Sequence, residues 1–64
     1  MKRRELISYL LAQGCVLLRE GAKHSLFMNP LNHSMSTIPR HSEINSFLGH
    51  KICRDLGISE IEKQ

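Results

Sequence analysis

Tryptophan is absent from this 64-residue sequence, and Tyr9, Phe27 and Phe47 are its only aromatic side chains. A platform of rings on which successive bases stack does not fit so few aromatics. Cysteine is also scarce. Cys15 and Cys53 stand far apart and form no C-x-x-C pattern. That spacing excludes a disulfide framework and a zinc site. Both residues sit among apolar neighbours and read as buried free thiols whose pKa tends upward, which argues against a nucleophilic role. No apolar run approaches the roughly 18 residues that a membrane span requires. No signal-peptide core follows the charged start. A reducing, cytoplasmic location is therefore expected.

What the chain does contain is one short domain's worth of alternating signals. A chain of this size buries only about 60% of the surface that its unfolded form exposes. Its core is thin, and it has no room to enclose a large cofactor, so none is expected. Nine Lys and Arg against six Asp and Glu leave a net charge of +3, which suits an anionic partner such as RNA.

Residues 3–13 read as a helix. Leu6, Ile7, Leu10 and Leu11 form one apolar stripe, and Gly14 is placed to close it. The basic start, Lys2-Arg3-Arg4, opposes the helix dipole, which suggests that these charges face a partner. Cys15 to Leu18 is a short apolar run between glycines and reads as a strand. Gly21-Ala22 is a turn. His24 to Met28 is a second strand, with His24, Leu26 and Met28 on one face and Ser25 and Phe27 on the other. Residues 29–33 form a hairpin loop in which Asn32 tolerates positive φ. Ser34 to Ile38 is a third strand that Pro39 ends. Ser42 reads as the N-cap of a second helix carrying Ile44, Phe47, Leu48, Ile52 and Leu56, with Gly57 as its stop. Gly49 within it implies close approach of another element, such as the first helix. The expected fold is a two-layer α-β-β-β-α domain of the α+β class, a three-stranded antiparallel sheet with two helices on one face. Residues 1–58 form that domain, and residues 59–64 form a tail that frays or docks on a partner.

The four histidines show no H-x-x-x-H or H-E-x-x-H spacing, and no metal site is expected. His24, at a turn–strand junction beside Lys23, is the best placed for acid–base work. RNA cleavage needs a base for the 2′-hydroxyl proton and an acid for the leaving 5′ oxygen, and a group titrating near neutrality serves either. Lys23 can hold the phosphate. The alternative is a surface histidine in a turn. Pro39-Arg40-His41-Ser42 is the second constellation. A guanidinium before a helix N-terminus can grip phosphate, or the segment is simply a capped, solvated turn. His33 and His50 read as surface residues.

Taken in order, several segments resemble the HicA, or YcfA-like, family of toxin mRNA interferases. They are the Glu5-to-Gln13 helix with Gly14, Val16-Leu17-Leu18-Arg19, Gly21-Ala22-Lys23-His24, Phe27, Ile38-Pro39-Arg40-His41 and the run Ile52 to Ile58. The resemblance covers nearly the whole chain. It implies a fold like the double-stranded-RNA-binding domain and metal-independent endoribonuclease cleavage of mRNA that inhibits translation. It also implies a HicB-type antitoxin that covers the active site. The family's catalytic histidine falls on His24, with Lys23, Arg40 and His41 as candidate RNA or phosphate contacts. The common Gly-Ser-His-His is replaced here by Gly21-Ala22-Lys23-His24-Ser25, so His24 is the one imidazole in the turn and its proton partner is unassigned. A non-catalytic RNA-binding module of the same fold is the alternative.

Overall fold

The computed structural model describes residues 1–61. Its elements run α1 (Arg3–Ala12), β1 (Val16–Glu20), β2 (His24–Asn29), β3 (Ser34–Pro39) and α2 (Ser46–Asp55). The strands form one antiparallel sheet in the order β1-β2-β3, which makes this a small α+β domain. Part of the expected tail, residues 62–64, lies outside the described residues.

The sheet buries one face. Ser25, Phe27 and Asn29 of β2 are buried, as are Ser36 and Ile38 of β3. Register brings them together, with Ser25 opposite Ile38 and Phe27 opposite Ser36. Phe27 and Ile38 join Leu6 and Leu10 of α1 and Ile52 and Cys53 of α2 in a single core with Cys15, Ile44 and Leu56. His24, Leu26 and Met28 are left on the opposite face, as the period of two predicts. Buried polar groups find partners inside. Asn29 Nδ2 donates to the Leu56 carbonyl at 2.8 Å, tying β2 to the end of α2.

The second helix differs most from expectation. It begins at Ser46, and its cap is Asn45, whose Oδ1 accepts from the Leu48 amide at 2.8 Å. Ser42 is not the cap. Residues 42–44 instead pair with the first residues of the chain. Arg3 N donates to the Ser42 carbonyl at 2.9 Å, and Ile44 N to the Met1 carbonyl at 2.8 Å. This short antiparallel bridge keeps the segment extended and buries Ile44 in the core. With the helix start displaced, Phe47 lies off the buried side and is 76% exposed. Gly49 does mark a close approach, but to Met1 rather than to α1. A Cβ there would come within 2.7 Å of the Met1 methyl.

Smaller differences follow from packing. Leu11 turns outward from α1, and only Leu6 and Leu10 are fully buried there. Cys15 belongs to the core, and β1 starts one residue later and runs on to Glu20. Every residue of β1 is exposed, whereas β3, the other edge strand, packs against α2. In the β2–β3 loop His33, not Asn32, takes positive φ, at 62°. Ile58 and Ile61 pack against the chain's own core, and the Tyr9 hydroxyl donates to the Ser59 carbonyl at 2.8 Å. The described part of the tail is therefore held by the domain itself.

Candidate functional site

His24 opens β2 directly after the two-residue turn Ala22-Lys23. The turn is tight. The Gly21 amide donates to the His24 carbonyl at 2.8 Å, and a Cβ on Gly21 would meet that same oxygen at 3.0 Å. A glycine is therefore the residue that lets the chain close here. On its other side β2 pairs with β3, with His24 opposite Pro39. The Arg40 amide donates to the Lys23 carbonyl at 3.2 Å, which carries the pairing one residue beyond β3. The turn and the β3 exit are thus held side by side.

Between them lies a depression of 410 Å³ lined by Ala22, Lys23, His24, Pro39, Arg40 and His41. All four residues expected at the site line it. Lys23 and His24 come from the turn and the β2 start, Arg40 and His41 from the β3 exit. His24, Lys23, Arg40 and His41 are all exposed. The route by which Arg40 and His41 arrive differs from expectation. They do not precede a helix N-terminus, since α2 starts five residues after His41. The other two histidines lie elsewhere. His33 is in the β2–β3 loop, and His50 Nδ1 is 3.4 Å from a Glu60 oxygen.

A polar network under the depression joins four parts of the chain. Ser25, which is 1% exposed, donates to Glu20 Oε1 at the end of β1. Arg3 reaches in from α1 and donates through Nη2 to Ser25 Oγ at 2.6 Å and through Nε to the Pro39 carbonyl at 2.8 Å. Arg40 completes the set, with Nη1 3.1 Å from Glu20 Oε1 and 3.4 Å from the Gly21 carbonyl. The hydrogen bond from Ser25, aided by the charges of Arg40 and Arg3, holds the Glu20 carboxyl below its ordinary pKa. Arg40 is anchored by one edge of its guanidinium, and its side chain remains 44% exposed. A fork fixed at one edge and open at the other is suited to an incoming oxyanion.

Arg3, Glu20 and Ser25 are not singled out by sequence reasoning. Arg3 reads as one of three basic residues that face a binding partner, yet it folds inward to a side chain 22 residues away. A local pattern carries no signal for such a contact. Ser25 occupies the place of a second imidazole in the resembled motif, and its burial points it away from the depression into this network. Elsewhere, burial raises the pKa of Cys15 and of Cys53, so both thiols are protonated at neutral pH, as their apolar surroundings predict. Among the described residues no three His, Cys, Asp or Glu side chains gather as a metal-ligand set, and no helix is long and apolar enough to cross a membrane.

The arrangement puts two imidazoles and two cations around one solvent-accessible hollow. Such a group can bind a phosphodiester and exchange protons with it. No family model, curated protein or solved structure matches this chain.

Proposed function

We propose that the chain is a HicA-like endoribonuclease toxin whose active site is the His24 depression. The observation that carries this reading is the shared lining of one hollow by His24, His41, Lys23 and Arg40, drawn from two separate segments. Lys23 and Arg40 bind the scissile phosphate. One imidazole takes the 2′-hydroxyl proton, and that oxygen attacks the adjacent phosphorus. The P–O5′ bond breaks, and the other imidazole gives its proton to O5′. The products are a 2′,3′-cyclic phosphate and a 5′-hydroxyl. His24 acts as one of the pair, and His41 supplies the imidazole that the turn itself lacks. A base and an acid of this kind give a bell-shaped pH dependence of kcat/KM. The helix–three strands–helix order, with one buried sheet face, is in keeping with a double-stranded-RNA-binding-domain-like plan. The substrate is mRNA, and a cognate HicB-type antitoxin that covers the depression is the natural regulator.

One observation favours a second reading, a non-catalytic RNA-binding module. Ser25, at the place of the second histidine, faces the interior. Incubation of the purified chain with end-labelled RNA in EDTA separates the two readings. The nuclease reading predicts fragments ending in cyclic phosphate, and predicts that a single 2′-deoxy substitution protects the bond that follows it. Intact RNA bound in a salt-dependent manner supports the module instead.

A further inference from the structure

The depression is not the only hollow against His24. A second, of 270 Å³, is lined by Arg19, Gly21, Ala22, Lys23, His24, Leu26 and Thr37. The two share Ala22, Lys23 and His24; Pro39, Arg40 and His41 complete one lining, and Arg19, Gly21, Leu26 and Thr37 the other. Neither lining contains a carboxylate. The second hollow lies against the outer face of the sheet, where Arg19, Leu26 and Thr37 are paired in register and line it.

Arg19 is there because of an irregularity in the sheet. Val16 pairs with Met28 and Leu17 with Phe27, but Arg19 pairs with Leu26, so Leu18 is an extra residue in β1. Without that bulge, alternation from Val16 would turn Arg19 towards the helix side and Glu20 outward. With it, Arg19 shares the outer face with Leu26 and His24, and Glu20 lies opposite Ser25 on the inner face. One inserted residue thus sets both the network carboxylate and the outer cation. Arg19 is also uncommitted. Among the described residues Arg19 and Lys23 enter no ion pair, whereas Arg40 is paired with Glu20 and Lys51 with Asp55. An exposed arginine without a counter-charge, aimed at a site already basic, is suited to a phosphate.

We infer that the RNA path runs from the Arg40–His41 side over His24 onto the outer sheet face. There Arg19 binds the phosphate next to the scissile one. The path rests on the site assigned above, but it concerns binding and does not require cleavage. Its substrate is an unpaired stretch of RNA that passes from one hollow to the other over His24, held mainly through its backbone.

The test is the affinity of the full chain for a fluorescent single-stranded octamer of 2′-O-methyl RNA, which cannot be cleaved, over a range of salt concentrations. Arg19→Ala is expected to weaken binding about five- to tenfold and to reduce the slope of log K against log salt by about 0.7. Arg19→Lys keeps the slope. Lys51→Ala, whose ammonium is held by Asp55 at 2.8 Å, changes neither quantity. Unchanged affinity and slope in Arg19→Ala, or an equal loss in Lys51→Ala, overturns the path. RNA cleavage together with Arg19-independent binding sinks this inference alone. Arg19-dependent binding without any cleavage of ordinary RNA sinks the nuclease reading alone. No binding of the octamer sinks the path, and the nuclease reading falls with it only if ordinary RNA is also left intact.

Discussion

Glu20 shows how much one side chain does beside this site. Its carboxylate receives Ser25 from below and Arg40 from the side, so it couples the end of β1 to the start of β2 and to the exit of β3. The folded-state pKa of Glu20 is depressed, first by the Ser25 hydrogen bond. A carboxyl of this kind contributes stability that is fully present above its unfolded pKa and is lost as pH falls through its folded pKa. Glu20→Gln is therefore expected to be less stable than wild type at neutral pH. The gap should close as pH drops from the ordinary carboxylate range, about 4.3 for a free Glu, through the depressed value. Urea unfolding at several pH values measures this, and a gap that does not change with pH contradicts it. At this scale the sequence displays some partners and hides others. Lys23 and His24 are visible because a tight turn is a local event. The Arg3–Ser25 contact spans the chain and depends on how α1 docks, which no nearby pattern encodes.

Among the elements, the sheet is the most legible and the second helix the least. Period-two alternation places Ser25 and Phe27 opposite His24 and Leu26, and the structure has them so. The start of α2 is misjudged because Ser42 and Glu43 carry good capping chemistry, while a competing bond is available. The chain's first residues pair with residues 42–44 and hold them extended. Asn45 takes over as cap. Phe47 then loses its place in the apolar stripe, and Ile44 is buried before the helix begins. A direct comparison follows. Asn45→Ala is expected to cost about 1 kcal/mol, a fall in melting temperature of roughly 4–8 °C for a domain of this size. Ser42→Ala is expected to cost less than about 0.5 kcal/mol, as an exposed substitution with no cap to lose. Thermal unfolding of the two variants checks the assignment, and the reverse order would restore Ser42 as the cap. The β1 bulge is the other feature that a pattern of alternating residues does not reveal. It needs the pairing partner, since an extra residue exists only relative to Phe27 and Leu26 on the neighbouring strand.

For the molecule as a whole, the thin core and the basic site belong to one economy of size. Both helices pack on the inner side of β2 and β3, and the described tail packs against the same core through Ile58 and Ile61. Among the described residues, Arg19, His24 and Thr37 of the outer face and Ala22-Lys23 of the turn are exposed. The two hollows against His24 lie at that end. Arg19, Lys23, His24, Arg40 and His41 are exposed there, within reach of a polyanion. The reaction proposed for this end is cleavage of RNA with His24 as an acid–base group. Its most direct measurement is the rate of cleavage of end-labelled RNA in EDTA by wild-type chain and by His24→Ala, with circular dichroism to establish that both are folded. The expected result is cleavage by the wild type and a loss of about 10²-fold or more in the variant. Cleavage by folded His24→Ala at the wild-type rate would contradict it.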